Sequence, residues 1–156
     1  MEVKESYHKT PMPSKTLVEV GCAVISGSRR EPESRGRILI AQRKPGDSFG
    51  GFWEFPGGQL ENGEQMEACL AREVREELGI LISPRLFLGT VDHAYPAKTF
   101  RLHFYLCDWI HGKPVRHDCL NFRWVLPAEL HRYSFPRADT DLILHLLRHQ
   151  SRYFPV

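Results

Sequence analysis

Gly58-QLENG-Glu64-QMEACLA-Arg72-Glu73-Val74-Arg75-Glu76-Glu77-Leu78-Gly79-Ile80 is the stretch on which the fold of this chain turns. Within it Met66, Leu70, Val74 and Leu78 recur every fourth residue. The spacing predicts a helix over Gln65 to Leu78 that stacks them on one face, with Gly79 as its stop. The same helix brings Glu73, Glu76 and Glu77 together at i, i+3 and i+4, where three like charges oppose helix formation. A divalent cation would neutralise them, and all-oxygen ligands suit Mg²⁺, or Mn²⁺ in its place. The plainer alternative is a solvated face on which Arg72 and Arg75 partner the acids. Just upstream, the stiff Phe55-Pro56 step and the freely turning Gly57-Gly58 pair allow backbone carbonyls to face an ion held by the helix.

Outward from this segment, Leu17 to Ile25 is β-branched and apolar enough for a buried strand, and Arg37 to Arg43 is its natural hairpin partner across a charged loop. Ile80 to Val91, Phe100 to Trp109 and Phe122 to Val125 read as three more strands. Pro127 to Leu130 suggests one helical turn, and Asp139 to about Arg152 a last helix striped by Leu142, Ile143, Leu146 and Leu147. The order of β-rich, helix, β-rich and helix implies an α/β fold, a sheet covered by helices. Residues 1–15 read as a loose arm and residues 16–156 as one domain.

Composition agrees. The chain has 156 residues, 42% of them hydrophobic and 11% aromatic, enough to bury roughly two thirds of the unfolded surface without disulfides or structural metal. A formal net charge of +2 lacks the basic excess of an electrostatic nucleic-acid or membrane binder. No stretch is apolar enough for a membrane span, and no secretory h-region appears, so a cytoplasmic protein is expected. Cys22, Cys69, Cys107 and Cys119 form no C-x-x-C pair and read as reduced thiols. His145 and His149 have the i, i+4 spacing of zinc ligands but no third ligand, and no role is assigned to them.

Residues 58–80 resemble the Nudix box, G-x5-E-x7-R-E-U-x-E-E-x-G-U with U apolar, at every specified position. The resemblance implies an α/β/α sandwich around a mixed sheet and metal-dependent hydrolysis of a nucleoside diphosphate linked to another group. It implies that Glu73, Glu76, Glu77 and the Gly57 carbonyl hold the metal, and that Arg72 orients a carboxylate by charge-assisted hydrogen bonds. Gly58 and Glu64 would support these groups from behind.

The flanks, Ile38 to Arg43 and Trp53 to Gly58, are similar to the MutT branch. Asp118, six residues before Trp124, stands where that branch usually has a metal-binding Glu that is also a candidate general base. Aspartate is one methylene shorter, which weakens it as a direct base while leaving contact with metal or water open. Phe135-Pro136-Arg137-Ala138-Asp139 resembles a segment whose last residue, Asn in MutT, reads the base edge of oxidised guanine. Asp139 in its place makes a cytosine amino group an alternative, and a bare helix cap another. Arg43 would contact phosphate, Tyr95 would stack on the base, and Lys98 would line the pocket.

The expected enzyme converts a nucleoside triphosphate, oxidised purines such as 8-oxo-dGTP foremost, to monophosphate and pyrophosphate, in nucleotide-pool sanitation. Cytidine triphosphates are the first alternative, and ADP-ribose or nucleotide sugars a second without added support. A non-catalytic reader of oxidised bases would not need three carboxylates at metal-binding spacing. Partners are confined to the small-molecule nucleotide, with no nucleic acid or membrane, in a monomer or homodimer.

Overall fold

A computed structural model describes residues 15–156. The arm expected over residues 1–15 lies outside the described residues apart from Lys15. The apolar run becomes β1 (Thr16–Ser26), buried from Gly21 onward. Its alternation divides the protein, because Cys22 and Val24 point into one core and Ala23 and Ile25 into another on the opposite face.

Six further strands follow: β2 (Ile38–Gln42), β3 (Trp53–Glu54), β4 (Gly57–Gln59), β5 (Leu81–Ala94), β6 (Lys98–His111) and β7 (Asn121–Val125). The sheet runs β3-β2-β1-β6-β5, with β4 also beside β1 and β7 beside β2. Only β1 and β6 are parallel, in register from Thr16 opposite Lys98 to Ser26 opposite Asp108, so the sheet is mixed. The expected β1–β2 hairpin forms, pairing Ile25 with Leu39.

Helix α1 (Met66–Leu78) lays Leu70, Val74 and Leu78 on Ala23, Ile25, Leu39 and Ala41. The other face is covered by two 3₁₀ turns (Pro127–Arg132 and Arg137–Asp139), α2 (Thr140–Arg148) and α3 (Gln150–Tyr153). This is the expected α/β/α sandwich. All four cysteines are free and buried, and among the described residues no helix is long and apolar enough to cross a membrane.

The strands run one to three residues beyond or short of the expected ranges, and the last helix differs from the sequence reading at two points. The last helix is broken at His149, where the backbone leaves helical geometry (φ −115°, ψ 20°), and the restart carries Tyr153 and Phe154 into the core. Its start moves from Asp139 to Thr140, because Arg137 to Asp139 form a 3₁₀ turn that leaves the Asp139 side chain without a capping hydrogen bond.

Gly79 ends α1 in the left-handed region (φ 69°), its N–H donating to the Arg75 carbonyl at 2.9 Å. A Cβ there would stand 3.0 Å from Val115 Cγ2. Gly79→Ala is therefore expected to cost about 1–2 kcal/mol, a Tm decrease of about 3–6 °C in thermal denaturation.

Candidate active site

Strand β4 pairs with β1 at Val20 to Cys22 and turns the Gly57-Gly58 pair toward α1. A Cβ on Gly57 would fall on the Gly21 carbonyl oxygen, so no larger residue fits the pairing. A Cβ on Gly58 would overlap the Glu73 carboxylate, which lies directly over this glycine. The two glycines thus let the helix carboxylates reach the sheet. The cleft they open has a volume of about 1010 Å³.

Helical geometry separates the three box glutamates. At about 100° per residue, Glu76 and Glu77 fall about 60° and about 40° to either side of Glu73 on one broad face of the helix. Glu73 and Glu77 line the cleft. Glu76 is turned to the rim, with a side chain 59% exposed and 3.4 Å from Arg72 Nη1. The structure thus brings Glu73, Glu77, Gly57 and Gly58 together and leaves Glu76 at the edge.

Arg72 organises this side of the cleft. Its Nε and Nη2 fork onto Glu64 at 2.8 and 3.0 Å, its Nη1 donates to Glu73 Oε1 at 2.9 Å, and Nη2 also donates to the Gln59 carbonyl. This bond to Arg72 pulls the Glu64 carboxyl down to about 2. Glu64, just before the helix, holds the arginine that in turn holds Glu73.

Glu77 is the most perturbed acid. Burial first, then the neighbouring charges of Glu54 and Glu73, push its carboxyl up to about 9, offset in part by the Gly57 backbone. Its Oε2 is buried without a hydrogen-bond partner among the described residues. Burial also raises Glu73 and Glu54, although Arg72 and Arg43 act against the shift. An orphaned carboxylate oxygen beside further acids is the donor set of a hard divalent cation, and the residues fit one. With Glu73 and Glu76 drawn to Arg72 and Glu54 to Arg43, no three such ligands yet converge on one point among the described residues.

Sequence reasoning missed Glu54. It enters through the short β3, paired with Ala41 and Gln42 of β2, and binds Arg43 Nη1 at 2.8 Å. Arg43 Nε donates to the Ser48 carbonyl, so the guanidinium is fixed at the cleft wall. Phe49 was missed too. It lines the cleft on the following loop with a positive φ of 57°, an uncommon conformation for an aromatic residue.

Across the cleft, Tyr95 stands 4.8 Å from the His93 ring and 5.7 Å, edge-on, from Phe100. Lys98 lines the same wall, and Tyr95 N–H donates to its carbonyl at 2.7 Å. Asp139 is only 6% exposed and faces the cleft, where burial and then Glu54 push its carboxyl up to about 7. Asp118 lies at the rim, its side chain 68% exposed and 2.7 Å from Lys44 Nζ. His145 Nε2 meets the Tyr153 hydroxyl at 3.0 Å in an aromatic cluster outside the cleft.

The NUDIX domain family matches residues 32–145, close to three quarters of the chain. The chain is 33% identical over 134 residues to an 8-oxo-dGTP diphosphatase of Haemophilus influenzae, spanning 85% of this chain and 93% of that protein. It is 32% identical over 127 residues to a CTP pyrophosphohydrolase of Escherichia coli, spanning 81% and 89% respectively. The solution structure of the E. coli ORF135 protein superposes with a TM-score of 0.75 at 29% identity, covering 90% of this chain and 96% of that one. The family match, superposition over 90% of the chain, an intact box and the acid-lined cleft agree: the chain belongs to the Nudix hydrolases, as a MutT-like member.

Proposed function

We propose that the protein converts a nucleoside triphosphate to the monophosphate and pyrophosphate, with oxidised purine nucleotides such as 8-oxo-dGTP favoured, to cleanse the cytoplasmic nucleotide pool. The observation that carries this reading is the buried Glu77 Oε2, without a partner among the described residues, at one wall of a cleft whose other walls offer Tyr95, Phe104 and a buried acid, Asp139. The first wall suits phosphate chemistry and the others suit a base.

Glu73, Glu77 and the Gly57 carbonyl would hold the cation, with Glu76 and Asp118 joining from the rim, and Mg²⁺ is the favoured ion for an all-oxygen set. Bound there, such an ion supplies charge neutralisation for the phosphates and lowers the pKa of a bound water. Arg72 fixes Glu73, so that this carboxylate does not have to reorganise as negative charge shifts during cleavage. Arg43, fixed by Glu54 and Ser48, presents a preorganised guanidinium to phosphate oxygens, and Lys98 adds a second cation. Tyr95 stacks on the base.

A second reading, hydrolysis of cytidine triphosphates, is favoured by Asp139 and by the similarity to a CTP pyrophosphohydrolase. Incubation with Mg²⁺ and 8-oxo-dGTP, dGTP, dCTP, 5-methyl-dCTP or ADP-ribose, with pyrophosphate and monophosphate measured separately, tests both. Preference for 8-oxo-dGTP with pyrophosphate release is expected. Preference for cytidine nucleotides selects the second reading, and release of orthophosphate overturns both.

A further inference from the structure

The loop that carries Asp118 is clamped at both ends. The His117 and Asp118 N–H groups both donate to the Glu77 carbonyl at 3.1 Å, and Val115 N–H donates to Leu78 at 2.9 Å, which fixes the backbone on the last turn of α1. On the far side, Leu120 N–H donates to the Gln42 carbonyl at 2.9 Å. What remains free is the Asp118 side chain. It is exposed, and it reaches Lys44, two residues beyond Gln42 and 74 positions away in sequence. Lys44 is itself anchored, because Arg43 before it is tied by backbone bonds to Gly51 and Phe52 and by its side chain to Ser48 and Glu54. An ion pair between two fixed loops therefore draws Asp118, at the rim of the cleft, toward Lys44 on the adjoining hollow lined by Pro45, Arg116 and Leu120.

We propose that Lys44 is a positioning residue for Asp118: it holds this carboxylate away from the acids of the cleft when no substrate is bound, and exchanges it for the substrate's phosphates. This inference rests on the metal-dependent triphosphatase reading above. The exchange follows from charge. In the empty cleft, Glu73, Glu77 and Glu54 repel a further carboxylate, and Lys44 is the partner within reach. An arriving triphosphate brings several negative charges past the same ammonium and competes for it. Asp118, released, turns on its clamped backbone toward a cleft that now holds compensating positive charge. Aspartate suits such a switch, since its short side chain cannot span both positions at once.

Because the pair is exposed, its effects are modest, about two- to five-fold. Metal-free full-length protein is titrated with Mn²⁺, free ion being read by EPR, and KM and kcat are measured on the preferred triphosphate. In Lys44→Met, Mn²⁺ is expected to bind about two- to five-fold more tightly while KM rises by a similar factor and kcat stays within about twofold. Lys44→Arg restores both values. In an Asp118→Ala background, Lys44→Met should leave Mn²⁺ affinity unchanged. Equal tightening in that background would mean that Lys44 merely repels cations at large, and overturns the exchange. Unchanged affinity and KM in Lys44→Met, with a wild-type protein that binds Mn²⁺ and turns over, also overturns it and leaves the triphosphatase reading standing. A wild-type protein that binds no Mn²⁺ removes both.

Discussion

Replacing Glu77 by Gln is expected to lower kcat at least about 10³-fold, a loss of roughly 4 kcal/mol of transition-state stabilisation, without loss of fold. The substitution keeps shape and removes the charge at a buried carboxylate oxygen that has no hydrogen-bond partner among the described residues. In metal-free protein the Glu77 carboxyl is pushed from 4.5 to about 9 by burial, then by Glu54 and Glu73. Between those values the unfolded chain has lost a proton that the folded protein keeps, so stability is complete below about pH 4.5 and falls as pH rises toward 9. Glutamine has no proton to lose, so Glu77→Gln in EDTA should melt at a higher temperature than wild type at pH 9 and with a shallower pH slope. The slope does not vanish, because Glu54, Glu73 and Asp139 are also pushed up. Added Mg²⁺ should raise the wild-type Tm and leave the variant nearly unmoved. A variant that keeps kcat within tenfold of wild type, or a wild-type Tm that rises between pH 5 and 9 in EDTA, sinks the assignment.

The helix of the box and the buried first strand were legible because they follow from local pattern, whereas the division of the interior into two cores, one on each face of the sheet, was not. Leu70, Val74 and Leu78 announce one face of α1, but in β1 an unbroken apolar run hides which residues face which core, and only the packed sheet sorts Cys22 from Ala23. What α1 alone could not reveal is which of its acids reaches the cleft. Glu76 and Glu77 are neighbours in sequence, yet one is held at the rim by Arg72 and the other is buried against Glu54. Glu54 itself was illegible, since a two-residue strand has no periodicity and its place depends on pairing with β2 across the chain. The same holds for Lys44, whose partner Asp118 is brought to it by hydrogen bonds to Glu77 and Gln42 rather than by any spacing. The Asp139 cap failed for a local reason: the preceding 3₁₀ turn already uses Asp139 as a helical residue, and its side chain goes to the cleft instead.

That placement leads to the second large effect, in base selection. A carboxyl near pKa 7 populates two forms at neutral pH, one that only accepts hydrogen bonds and one that also donates. An 8-oxopurine presents an N–H beside a carbonyl, and cytosine presents an amino group beside a ring acceptor, so both favoured bases ask for a donor and an acceptor together. Only the protonated acid supplies both. Asp139→Ala leaves those base groups unpaired in a buried site, at about 2–3 kcal/mol, and should cut kcat/KM for the preferred triphosphate about 30- to 150-fold while changing a base-free deoxyribose triphosphate little. Asp139→Asn keeps a donor and an acceptor at every pH and should retain the preference. The ratio of kcat/KM for the preferred substrate to that for the base-free triphosphate cancels the pH dependence of the phosphate chemistry. In wild type this ratio is expected to fall as pH rises through about 7, and in Asp139→Asn to stay flat. A wild-type ratio that does not change between pH 6 and 8.5, or an Asp139→Ala protein that keeps its preference, would remove Asp139 from base reading and leave it a buried acid with no assigned task.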